Sequence, residues 1–347
     1  MSTTWHTRYL LSIVPAIITI YGNLHGGILA LAGAVFIAVL LFIIDMLMKE
    51  DRSPIPSESS LFPNAILGAH VVFQTATVAS LLYGIHSGIL EGRVMWWAIA
   101  STGVNSGFEG IISAHEMIHR KQVVWQKLGI WNLLTVNYAH FYVEHIRNHH
   151  RNVGTRLDPA TARYGENVYG FFLRTVPQQF FSALNIEATR LKRNHRAPYG
   201  FRNFVIRATI SEILIWVTIY FLLGKWVLIA FLVQSIIAFF LLEYVNYIEH
   251  YGLVREEGKK VNATHSWQSD LPISRFALIE LSRHPDHHLT ASKPYHTLES
   301  HEESPVLPLG YFGSFYTALI PPLWFRVVNP VLKKHLEKKM DPRTAVR

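Results

Sequence analysis

Residues 213–253 read ILIWVTIYFLLGKWVLIAFLVQSIIAFFLLEYVNYIEHYGL. Two apolar runs, Ile213–Leu223 and Val227–Leu242, flank Gly224-Lys225, and the second ends in Asn246-Tyr-Ile-Glu-His250-Tyr-Gly. A turn residue between two uncharged stretches predicts a helical hairpin that crosses a bilayer twice. The pattern recurs upstream. Tyr9 to Ile44 is uncharged and punctuated by Gly22-Asn23-Leu24-His25-Gly26-Gly27, too long for one span of about 20 residues. Ser59 to Leu90 is uncharged and closed by Glu91 and Arg93, and Val94 to Phe108 continues through Glu109 to His115. The expectation is a single all-α integral membrane domain over residues 1–347 with about six transmembrane helices. They fall near 9–21, 27–47, 62–90, 94–119, 206–223 and 227–249, under a histidine-rich cytoplasmic cap made of 120–205 and 250–347.

Composition agrees: 50% of the 347 residues are hydrophobic and 16% charged, against roughly 25% charged in soluble domains. Cysteine is absent, which excludes disulfides, thiolate metal sites and cysteine nucleophiles. The net charge of +8 gathers between Arg120 and Arg207, so by the positive-inside rule that region and both termini are cytoplasmic, in a plasma (inner) membrane. No basic cluster interleaved with aromatics tracks a phosphate backbone, so nucleic acid is not an expected partner. The first run lacks the basic start and cleavage site of a signal peptide. Asp51–Ser60 is the one short polar linker.

Nine of the 19 histidines fall in four clusters at the cytoplasmic ends of spans: His115 and His119; His145, His149 and His150; His250; and His284, His287 and His288. His115 and His119 are four apart, on one helical face. His145 is expected to pair with His149 in the same way, with His150 beside it, and His284 offers spacings of three and four. Imidazole suits iron, zinc, copper and nickel. One ion cannot use nine imidazoles, so the arithmetic points to two ions with four or five each. Glu249, beside His250, and Glu243, seven residues before it, are the candidate catalytic carboxylates. Glu243 would accept the free N–H of a liganding imidazole, or form an ion pair, or be protonated. Glu109, Glu212 and Asp45 also lie in apolar surroundings; Asp45 reads as an interface or capping residue.

Each motif has a blander reading. His115-Glu116-Met-Ile-His119 matches the zinc-protease pattern with Glu116 as general base, but the further clusters exceed what one zinc needs. A haem bundle would place single axial histidines on facing helices, and a transporter would carry ligands near the midplane. His6, His25, His70, His86, His140, His195, His301 and His335 read as surface, turn or packing residues; His265 and His296 stay open.

The clusters resemble the membrane-bound non-haem di-iron family of desaturases and hydroxylases, and within it the bacterial integral-membrane alkane 1-monooxygenases. The matching pieces are His115–Arg120, Glu144–His150, NYIEHYGL at Asn246–Leu253, Arg283–His288, Asp158–Glu166, Glu303–Pro308 and Pro321–Trp324. NYIEHYGL discriminates against plain desaturases. Asn148, Pro285, Gln268-Ser-Asp270 and Arg120 depart from the family pattern without removing a histidine. The resemblance implies two iron ions on the nine histidines, O2 as co-substrate, and hydroxylation of an alkane methyl. It leaves open an alkyl side chain on an aromatic ring or a lipid or fatty-acyl desaturase activity. The chain has no means of taking electrons from a nicotinamide, so a rubredoxin-type electron carrier with its reductase is the implied partner, and the hydrocarbon substrate would enter from membrane lipid. Phe36, Phe42, Phe73 and Phe108 could line its path or simply pack.

Overall fold

The computed structural model describes residues 5–56 and 60–340; part of the 51–60 linker and both extreme termini lie outside them. A 3-10 turn, Thr7–Ser12, leads into α1 (Val14–His25), and α2 (Gly27–Leu47) returns as a helix of mixed winding. α3 (Leu61–His86) follows. α4 covers 92–118 as Gly92–Asn105, a π turn Ser106–Gly110 and Ile111–Ile118, and α5 is Val123–Leu134. α6, at 141–152, has its own π turn, His145–His149. α7 (Val168–Arg193) precedes the hairpin α8 (Phe204–Leu223) and α9 (Lys225–His250). Short helices α10 (Pro272–Phe276), α11 (His284–Leu289) and α12 (Gly310–Ala318) lead to α13 (Pro321–Met340). No strand is present among the described residues, only an isolated bridge between Gln268 and Val306.

The all-helical membrane architecture is as expected. Four helices, α2, α3, α8 and α9, are long and apolar enough to cross a bilayer. The expected spans at 9–21 and 94–119 correspond to α1 and α4; α4 carries Ser101, Thr102, Asn105, Ser106 and Glu109 buried against its neighbours. Polar groups inside such a bundle persist by bonding across helices. Asn23 of α1 donates to Ser80 of α3 and Thr102 of α4 at 3.1 and 3.0 Å. His70 of α3 sits 2.9 Å from Glu109 and 3.0 Å from Ser12.

α4 and α9 pack tightly where α4 has no side chain. A Cβ on Gly103 would lie 2.7 Å from Ile237, and one on Gly107 would lie 2.9 Å from the Ala238 carbonyl. Two small residues four apart let helix backbones approach closely.

The segment 120–205 departs from a simple cap. α5 runs back beside α4, with Gly129 against Ala114 and Met117, and Asn132 donates to Ser113 at 3.1 Å. The turn beyond it reaches the middle of the hairpin, where Asn137 bonds Ser235 at 2.7 Å and Trp216 at 2.7 Å. α5 and the turn after it therefore pack into the helix bundle. The twelve mostly apolar residues of α5 are too few to span a bilayer.

Candidate metal centre

Three helix ends and one short helix bring the nine histidines together. α4 is α-helical at its end, so His115 and His119 share a face as the spacing predicts. α6 corrects the expected pairing of His145 with His149. Its π turn puts residues five apart in line, so His145 faces His150, Nε2 to Nε2, at 3.0 Å, and His149 turns to the other side. In α11 His284 and His288 share one side, 2.9 Å apart, while His287 points to His150 at 3.1 Å. His250, the last residue of α9, lies 3.2 Å from His284.

Two groups result. His115, His119, His145, His150 and His287 form one; His149, His250, His284 and His288 form the other; within each the donor nitrogens lie within 4.8 Å of one another. The groups adjoin, with the His149 and His150 rings 5.0 and 4.4 Å from that of His288.

The donor set fits a pair of cations. The Nε2 atoms of His115, His119 and His149 are buried without a hydrogen-bond partner, and each unpaired buried group costs about 1–3 kcal/mol. Burial, reinforced by neighbouring imidazoles, holds His145, His150, His284, His287 and His288 well below the ordinary histidine range. They are neutral, the form that binds metal. Five and four imidazoles in one enclosure suit two ions of the iron, zinc or copper kind.

The surrounding bonds aim the rings. His149 Nδ1 is 2.9 Å from Asp158, which also accepts from Thr161 at 2.6 Å. His250 Nδ1 faces the His265 carbonyl at 3.3 Å. Glu249 differs: one oxygen lies 3.2 Å from His284 Nε2, the nitrogen that also faces His250 and His288, while the other accepts from Tyr311 at 2.7 Å. Glu243 is elsewhere: it accepts from Tyr138, Gln179 and Asn246 at 2.8, 2.8 and 3.2 Å, so α9 uses it to hold α7 and the α5–α6 turn, not to orient His250. Glu116 Oε1 is 2.7 Å from Arg120 and accepts from the Tyr295 N–H. His301, read as peripheral, contacts Asp286 at 2.9 Å and braces α11 with Lys293. His296 and His265 are buried but belong to neither group.

The chain matches the fatty acid desaturase family over residues 92–317. It is 36% identical over 309 residues to Alkane 1-monooxygenase 1 of Pseudomonas aeruginosa, covering 84% of this chain and 80% of that protein. To Alkane 1-monooxygenase 2 of the same organism it is 38% identical over 318 residues, 85% and 82% of the two chains. It belongs to the alkane 1-monooxygenase family. It is a metal-dependent membrane monooxygenase, an oxidoreductase. A more distant likeness, 26% over 341 residues (96% and 91%), is to the xylene/toluene monooxygenase hydroxylase component of Pseudomonas putida.

The positions that depart from the alkane 1-monooxygenase pattern have local partners. Asn148 donates to Glu144 at 2.5 Å, Pro285 opens α11, Gln268 holds the His301 backbone, and Asp270 holds Arg283 at 3.0 Å. Proline in a first helical turn costs no hydrogen bond.

An apolar cavity lies against the metal side. α2, α4, α9 and α12 wall it, with Phe108, Tyr311, Phe312 and Phe315 among the lining residues. Its tyrosine hydroxyls face away: Tyr244 donates to the Tyr311 carbonyl, Tyr316 to the Ala38 carbonyl, and Tyr311 to Glu249. Of the four phenylalanines that could line a path or simply pack, Phe108 lines the cavity, while Phe36, Phe42 and Phe73 pack on the core. A smaller space beyond it is lined by His115, His145, His284 and Glu249.

Proposed function

We propose that this chain hydroxylates the terminal methyl of alkanes at two irons held by the nine histidines, using O2 and two electrons from a separate rubredoxin-type carrier with its reductase. The balance is R–CH3 + O2 + 2 electrons + 2 H⁺ giving R–CH2OH + H2O. The observation that carries this reading is an apolar cavity adjoining a smaller space that residues of both histidine groups line. A saturated chain offers no polar handle, and this wall offers none in return, so shape and burial alone hold the substrate. The fatty-acyl alternative needs a partner for its polar head, which the wall lacks. Bound iron would activate O2, the oxidant of this balance; Asp158 and the His265 carbonyl, at the Nδ1 atoms of His149 and His250, keep those imidazoles aimed.

The histidine end faces the cytoplasm of a plasma membrane, in line with the basic residues gathered there. Arg147, Arg151, Arg190 and Arg193 line a polar groove between α6 and α7, suited to an acidic carrier. The likeness to a xylene/toluene monooxygenase component and the aromatic wall favour alkyl side chains on aromatic rings as the second reading.

The test is metal content with product analysis in membranes supplied with iron, a rubredoxin and its reductase. Two irons per chain and 1-octanol from n-octane are expected. A benzylic alcohol from p-xylene alone moves the chain to the second reading; one zinc and no oxygenated product overturns both.

A further inference from the structure

Three cavities meet at one side chain. Ile112 lines the apolar cavity, the space at His115, His145, His284 and Glu249, and a third space at His115, Glu116 and His287. The first two share Gly107, Ile112 and Val245 and no other residue. The cause is helical spacing. On α4, Ile112, His115 and His119 follow at three and four on one face of the helix, with Phe108 just before them in the π turn. On α9, Leu241, Val245 and Glu249 follow at four and four. Each helix thus presents cavity wall, then a β-branched residue, then the metal side. Gly107 places no side chain in the passage, and a Cβ there would lie 2.9 Å from the Ala238 carbonyl and from Leu241.

We infer that Ile112 and Val245 form a fixed gate between the apolar cavity and the metal centre, and that this gate determines which end of a hydrocarbon reaches the metals. β-Branched side chains have little freedom at χ1, and Ile112 is buried at 6% exposure, so the opening does not adapt. A methyl end, or one no wider than a three-membered diazirine, passes; a tert-butyl or aromatic-ring end stops in the cavity. The inference rests on the hydrocarbon reading above and names the residues that make it selective for chain ends.

A decane carrying a diazirine at one end, photolysed in the metal-free and metal-loaded full-length protein, maps the two sides by mass spectrometry. Wild type is expected to take label both on the 310–318 segment and on the peptide containing Glu249. In Ile112→Phe, and independently in Val245→Phe, label at Glu249 should fall about tenfold while label at 310–318 stays. Ile112→Ala should do the reverse and raise the 2-octanol share of the product from n-octane. Label ratios unchanged in all three variants, or no label at either place in wild type, overturn the gate. Wild type that labels as expected yet makes no alcohol leaves the gate standing and removes the alkane reading instead.

Discussion

Asp158 is the residue on which the four-histidine group leans. Its carboxylate is buried, meets His149 Nδ1 at 2.9 Å and is itself held by Thr161. Such partners set imidazole orientation, and their loss typically costs about 10–100-fold in metal affinity. Asp158→Ala is therefore expected to weaken one of two metal sites by that factor and leave the five-histidine site in place, measured by stepwise metal loss to a competing chelator. Equal loss from both sites would contradict the assignment. Tyr311 acts on a carboxylate at the metal side: Tyr311→Phe keeps the ring in the cavity wall but frees Glu249 from its 2.7 Å bond. Iron content should be retained while more O2 is reduced per alcohol formed; unchanged coupling would show that the carboxylate needs no anchor. Neither contact is legible in the sequence, although Asp158 opens a family-matching stretch, since Asp158 lies nine residues from His149 and Tyr311 62 from Glu249, separations that no helical period encodes.

At the scale of elements, the π turn in α6 does what an α-helix could not. An α-helix would put His145 and His149 on one ion, whereas the extra residue per turn sends His149 across to the second group and keeps His145 with His150. The close contact of α4 with α9 then sets the distance between the two ligand-bearing helix ends. Gly103→Val would push a side chain onto Ile237 and the Gln234 carbonyl. Overpacking of this kind costs about 1–3 kcal/mol, so a lower thermal midpoint in detergent is expected, and an unchanged one would mean the helices can part freely.

Over the whole molecule, charge gathers on the end that holds the histidines. Arg147 and Arg190 converge on Glu187, which is buried. Burial opposes its charge, but the Arg190 guanidinium, the Phe204 N–H and Arg147 outweigh it and hold the carboxyl below the usual range. A carboxyl depressed on folding stabilises above its unfolded value, near 4.3, and that stabilisation fades as pH falls towards the lower folded value. The stability gap between wild type and Glu187→Gln should thus be constant above about pH 5 and close below about pH 4; a gap independent of pH would rule the ion pairs out as its source. Arg151→Glu with Arg193→Glu should weaken coupling to an acidic carrier and flatten its salt dependence, while a parallel loss with a chemical reductant would place the damage inside the protein. The sequence alone determined the helical membrane class, the hairpin at 213–250 and the nine clustered histidines, because long uncharged runs and repeated imidazoles are local properties of the chain. Only the tertiary structure decided how the nine divide into five and four, that Glu249 and not Glu243 meets a histidine, and that α5 packs into the bundle. Those outcomes depend on a local change of helical winding and on packing between segments far apart in the chain, which residue spacing does not contain.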